Sequence, residues 1–174
     1  MLSTSGRLQN WSDVREFVFA GNATFTLVSL KTGARFTYKV RVKKEDLARL
    51  EDDRKLSAVV GEPPTFFTEA DVTYFVNLLR GPDNTADFVY MGVVRKPGRF
   101  FWTAASGKVG RQAPAYKALL WMLDAMTCER DVLSKQLEIW HEGRCGRCGR
   151  KLTVPESIAA GIGPECAGRL EVAA

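Results

Sequence analysis

The chain has 174 residues, 45% hydrophobic and 26% charged, the balance of a soluble globular protein with room for one ordinary domain and a small accessory module. No apolar run follows a basic start at the N-terminus, and the longest apolar stretch, around Ala118–Met126, is broken by Asp124. Neither a secretory leader nor a membrane span is therefore expected, and the expected location is a reducing cytoplasm. The net charge of +5 suits a nucleic acid or an acidic protein surface as partner and excludes neither.

Residues 1–11 read as a loose tail. Ser12 is placed to cap a short helix, Ser12–Ala20, that stops at Gly21. Two strands follow, "ATFTLVSL" and "ARFTYKVRVKK", joined through the turn Lys31-Thr32-Gly33. The second alternates strictly: Phe36, Tyr38, Val40 and Val42 face one way, and Arg35, Lys39, Arg41 and Lys43 the other. Residues 44–65 are charge-rich, end in Pro63-Pro64 and read as a flexible connection carrying a helical turn. Strands resume with "DVTYFVNLL", "FVYMGVVRK" and "RFFWTAA". Pro114 then opens a helix to about Cys128, with Tyr116, Leu119, Leu120 and Leu123 as its core stripe. The expected fold class is α+β: about five mostly antiparallel strands, closed on one face by this helix. The expected organisation is an α+β domain over 12–128, a connector over 129–139 and a small zinc-ribbon or treble-clef-like module over 140–170.

That last segment holds the chain's one histidine and three of its four cysteines. His141-x3-Cys145-x2-Cys148-x17-Cys166 offers one imidazole and three thiolates, a donor set suited to a closed tetrahedral Zn2+. In a reducing compartment clustered cysteines more often hold metal than form disulfides. Gly146 and Gly149 let the backbone fold into a knuckle that points both sulfurs at one ion. Thr153 and Glu156 have the spacing of a capping box for a helix ending at Gly161, and Gly163-Pro164 opens a second helix with Cys166 in its first turn. Cys128 is the rival to His141 as fourth ligand. A redox Cys-x-x-Cys would follow a strand and open a helix in a βαβ unit, a pattern missing here.

"CGRCGRKLTVPESIAAGIGPECA" resembles a small zinc-binding domain of unknown function widespread in bacteriophage and actinobacterial proteins. That family's pattern runs Cys-x2-Cys-Gly-Arg, Leu-Thr-x-Pro-x-Ser, Gly-Ile-Gly-Pro-x-Cys, matched unbroken from about His141 to Ala167. In other members the domain is sometimes appended to helicase-like proteins, which implies work near nucleic acid. Residues 12–139, with "AGNATFTLVSLKTGARFTYKV" and "LLRGPDNTADFVYMG", are similar to phage proteins in which both blocks occur together. The resemblance implies zinc and a phage or prophage setting, hence a host-cell cytoplasm.

Arg95–Lys117 contains six basic residues and no acidic one, with Phe100, Phe101 and Trp102 interleaved. Cations for phosphates beside aromatic faces for bases grip single strands without reading sequence. The expected contacts are Arg35, Lys39, Arg41 and Lys43 from the first basic stretch, and Arg95, Lys96, Arg99, Trp102, Lys108 and Arg111 from the second. Lys108 lacks the glycine spacing of a phosphate loop, and a histidine engaged with metal leaves no Ser-His or Cys-His pair for catalysis. The expectation is a non-catalytic accessory protein binding nucleic acid, DNA ahead of RNA. The alternative is a protein-binding inhibitor of a host defence or replication factor. One folded face uniting the two basic stretches favours the first; separate patches beside an apolar one favour the second.

Overall fold

The computed structural model describes residues 6–61 and 67–171; the first five residues of the expected tail and Pro63-Pro64 lie outside them. Among the described residues, seven antiparallel strands form one sheet. The expected hairpin is β2 (Asn22–Ser29) and β3 (Arg35–Val42). Its turn closes through Gly33, at φ +71°, whose N–H donates to Ser29 O at 2.8 Å. β4 (Tyr74–Leu79), β5 (Phe88–Arg95) and the three-residue β6 (Arg99–Phe101) add the next rungs on one side of that hairpin. On its other side lie the two strands beyond the expected five, β7 (Leu137–His141) and the two-residue β1 (Arg7–Leu8). The order across the sheet is β1-β7-β2-β3-β4-β5-β6. The end of the segment expected as a connector is thus a strand within the sheet, paired with β2 and β1.

Directly opposed residues share a face, so the alternation of β3 propagates through the register. Phe25, Tyr38 and Leu78 stand in one row, as do Ala23, Val40 and Val76, and all six are buried. α1 (Trp11–Val18) and α3 (Pro114–Thr127) pack on this inner face. The Tyr38 hydroxyl donates to Ala115 O at 2.6 Å, fastening β3 to the first turn of α3. Of the expected α3 stripe, Leu119 and Leu123 are buried beside Met122 and Met126, while Tyr116 and Leu120 are half-buried. α1 starts one residue before the expected Ser12. Asn10 is its cap, its side chain accepting the Asp13 N–H at 2.8 Å, and Trp11 anchors the start by donating its indole N–H to Arg130 O.

The charge-rich connection is not a turn but a 17-residue helix, α2 (Lys44–Val60). Its residues are good helix formers without an amphipathic stripe, so periodicity gave no signal. Leu50 is its one buried residue. Side chains tether it instead: Asp46 accepts the Thr73 N–H at 3.1 Å, and Arg54 pairs with Glu69. After β6 the chain makes a 3-10 turn, Ala104–Lys108, where a longer strand was expected.

Candidate functional site

The cysteine segment leaves the sheet at the end of β7. Cys145 N–H donates to Arg150 O at 2.8 Å, Gly149 N–H to Cys145 O at 2.9 Å, and Leu152 N–H to Gly143 O at 2.8 Å. These bonds close a knuckle with Cys145 and Cys148 on its loop, Gly149 supplying the left-handed residue at φ +74°. α4 (Pro155–Ala160) then runs to Gly161, also at φ +74°. Its cap is Val154, with no side-chain bond to the helix; the expected Thr153 box does not form, because Pro155 sets the first helical position one residue later. α5 (Pro164–Glu171) begins as expected and carries Cys166 in its first turn.

The three sulfurs lie within 4.8 Å of one another. In a tetrahedral zinc site with bonds of about 2.3 Å, sulfurs stand roughly 3.8 Å apart, so this trio needs only a small contraction to share an ion. Cys145 and Cys166 are buried and Cys148 is exposed, so one edge of the cluster opens to solvent. Burial pushes the Cys145 thiol up, yet N–H groups of Gly163, Cys148 and Arg147 aimed at its sulfur prevail and hold it below the ordinary thiol value. Cys166 is pushed up to about 12, by burial first and then by the other two sulfurs. Three thiols crowded this closely cannot all ionise alone; a dication removes that conflict.

His141 is not brought to the cluster. It points inward from β7, opposite Phe25, with its ring 5.2 Å from that of Phe17. Nδ1 accepts the Gly143 N–H at 3.0 Å, and Nε2 lies 2.6 Å from Ile158 O. A carbonyl only accepts, so Nε2 carries the proton and the ring is neutral. Burial lowers its basicity, against the opposing pull of the Ile158 bond and Glu142. Both nitrogens are engaged by backbone, and the expected fourth ligand is instead a brace between β7 and α4. Cys128, the rival, caps α3 on the surface, its thiol 3.9 Å from Asp124 Oδ1. Among the described residues, the group with metal-ligand geometry is Cys145, Cys148 and Cys166.

Phe17, from α1, fits between the module's two close-approach glycines. A Cβ on Gly146 would stand 2.8 Å from its ring, and one on Gly161 2.4 Å. Gly146 also donates its N–H to Gly161 O and accepts the Asn22 N–H at 2.6 Å. Gly161→Ala meets both a left-handed backbone and the Phe17 ring, and is expected to lower stability by at least about 1–2 kcal/mol. Gly168→Ala, where nothing lies within 4 Å, is expected to gain roughly 0.5–1 kcal/mol as a helix interior position. Urea melts of the two variants check the pair; equal melts would remove the role given to Phe17.

The expected basic contacts fall into two groups. Arg41, Phe75, Val93 and Phe101 form one row across β3 to β6, on the face opposite Tyr38 and Val40. Arg35, Lys39, Arg95 and Arg99 project from that same outer face by alternation, and Lys43 continues the series just beyond β3. On this face Lys39 Nζ stands 3.8 Å from the Phe88 ring centre, Lys43 Nζ 5.5 Å from Phe75, and Arg95 and Arg99 5.8 and 5.7 Å from Phe101. Burial, then the charge of Arg41, lowers the Lys39 ammonium, with Glu142 opposing. At the far edge Glu138 is engaged by Arg7 and by the Trp140 indole.

The remaining contacts stand elsewhere. Lys96 is turned away from that row and paired with Glu69 at 2.7 Å. Trp102, Lys108 and Arg111 follow β6 rather than joining the strand rows; Arg111 lies 4.6 Å over the Trp102 ring. The aromatics of β4 and β5 were missed as site residues because their strands alternate less cleanly than β3. Phe75 shares the parity of the cations, but Phe88 and Tyr90 do not; only the register shift that skips Met91 brings them to the cations' face.

A comparison with protein-family models matches residues 139–171 to a family of unknown function, DUF6011. No curated protein matches the chain, and no solved structure matches it. The matched stretch begins within β7 and ends with α5, so it takes in the whole thiol cluster.

Proposed function

We propose that this chain is a non-catalytic accessory protein of phage type, in which a structural zinc module braces an α+β domain that binds nucleic acid in the host-cell cytoplasm. One observation carries the reading. The strand register unites Arg35, Lys39, Arg41 and Lys43 with Arg95 and Arg99 on a single uncapped sheet face, so the two basic stretches act as one field. Cys145, Cys148 and Cys166 supply three of the four positions of a tetrahedral zinc, in a treble-clef-like arrangement of knuckle and helix. A structural role no longer leans on closure by His141. It leans on chemistry: three thiolates donate strongly and leave the ion a weak Lewis acid, and the neighbouring Glu165 faces Arg150 at 3.7 Å on the surface.

The test is binding of full-length protein to labelled oligonucleotides over a salt series. Lys39→Glu with Arg41→Glu is expected to weaken binding and to flatten the dependence of log K on log salt, by roughly 0.7–0.9 for each phosphate no longer neutralised. Absence of binding at low salt, or an unchanged slope after reversal, gives way to the protein-binding reading. That second reading has its own support on the helix side. An open groove of about 490 Å3, lined by Leu27, Phe36, Pro114 and the exposed Trp121, carries Lys31 and Lys117 at its rim.

A further inference from the structure

The outer sheet face sets four of its cations, Lys39, Lys43, Arg95 and Arg99, against rings, and this pairing specifies more than charge. We infer that the face is a stacking platform for single-stranded nucleic acid, with Phe75, Phe88 and Phe101 each taking a base and the cations above them moving to the flanking phosphates. The inference rests on the nucleic-acid reading and names the substrate class of that site.

The three rings sit on adjacent strands, β4, β5 and β6, on the face that α1 and α3 leave uncovered. Each ring is half-buried or exposed, so none is sealed in the core. What lies over that face is a flexible, charged side chain rather than another element: Lys43 over Phe75, Lys39 over Phe88, Arg95 and Arg99 near Phe101. A surface cation–ring contact is worth only about 0.5–1 kcal/mol. Base–aromatic stacking is worth about 1–3 kcal/mol per base. A base therefore displaces the cation, and the displaced cation meets the phosphate that arrives with the base. Both halves of each pair gain a partner.

A duplex cannot use this surface in the same way, because its bases present edges in the grooves and keep their faces stacked on one another. The spacing sets the path. Phe75 and Phe101 share one row, two strands or roughly 10 Å apart, while Phe88 lies opposite Leu79, roughly 13 Å along the strands from that row. A single strand therefore reaches the three rings by crossing the face diagonally, with two or three bases stacked as on a small nucleic-acid-binding sheet. Asn77, opposite Lys39 and Tyr90, is the one amide side chain that β3 to β6 present on this face, too few to read a run of bases. Grip without sequence reading follows from that chemistry.

The experiment uses the full-length chain and fluorescence anisotropy with labelled 20-nucleotide single strands of DNA and RNA and the matched DNA duplex. Phe75→Leu, Phe88→Leu and Phe101→Leu keep apolar bulk and remove the π-face. Each is expected to weaken single-strand binding roughly 5- to 150-fold, to leave the salt slope unchanged, and to leave the weaker duplex binding intact, which also reports that the variant is folded. Wild-type preference for duplex, or single-strand affinity unmoved in all three variants, overturns the stacking platform while nucleic-acid binding stands. No binding to any of the three probes at low salt overturns both.

Discussion

Replacing Cys145 or Cys166 by serine is expected to release the metal and to unfold the knuckle together with α4 and α5. The ligands are deprotonated only at the expense of crowding three sulfurs within 4.8 Å, and the apparent free energy of structural zinc in small fingers is about 10–16 kcal/mol. The module's other contacts cannot replace that: α4 contains no fully buried residue, and Leu152 and Ile162 are the buried aliphatics between Cys148 and α5. Metal analysis of the purified wild type should give one zinc per chain, and less than half an equivalent counts against the site. Loss of zinc in the serine variants should be accompanied by fast amide exchange over residues 143–171 while β2–β5 stay protected. Cys128→Ala should keep its zinc. His141→Asn should also keep it, at reduced stability from the missing bonds to Gly143 and Ile158; if zinc is lost there, the imidazole is a ligand after all.

The strict alternation of Phe36 to Lys43 made β3 legible before any coordinates, because one face is buried and one solvated. The same parity runs through Leu137, Ile139 and His141 against Glu138 and Trp140, but five residues adjoining a cysteine cluster read more readily as a lead-in than as a strand. β1 was out of reach: two residues carry no period, and their place comes from pairing with β7. α2 failed for the opposite reason. It has ample helix propensity and almost no buried face, so nothing in its pattern separated it from a charged loop. In the cysteine segment the three thiols were readable from spacing alone, since the knuckle and the helix start are local. His141 was not. Its type and its distance along the chain suit a ligand, and only the register of β7, which turns it into the core against Phe17, directs both nitrogens to backbone.

That buried contact defines the largest expected effect outside the metal ligands. Phe17→Ala is expected to lower the stability of the whole chain by about 3–5 kcal/mol. The ring is 1% exposed and lies between α1 and three parts of the cysteine segment: Gly146, Gly161 and His141. Neither glycine has a side chain that could move in, and the His141 ring is held from both ends, so the cavity stays open. Phe17→Leu refills most of that volume and should cost about 1 kcal/mol. Because the ring sets the position of the knuckle against β2, where Gly146 O accepts the Asn22 N–H, the alanine variant should also give up zinc to a chelator at lower concentration. Anything that binds the folded module alone is weakened when that fold is destabilised. Urea melts with and without chelator separate the two contributions. A stability loss that is the same size with metal and without it would place Phe17 in the α1 core alone; a larger loss in the zinc-loaded protein is the expected result, since only there is the docked module present to be undermined.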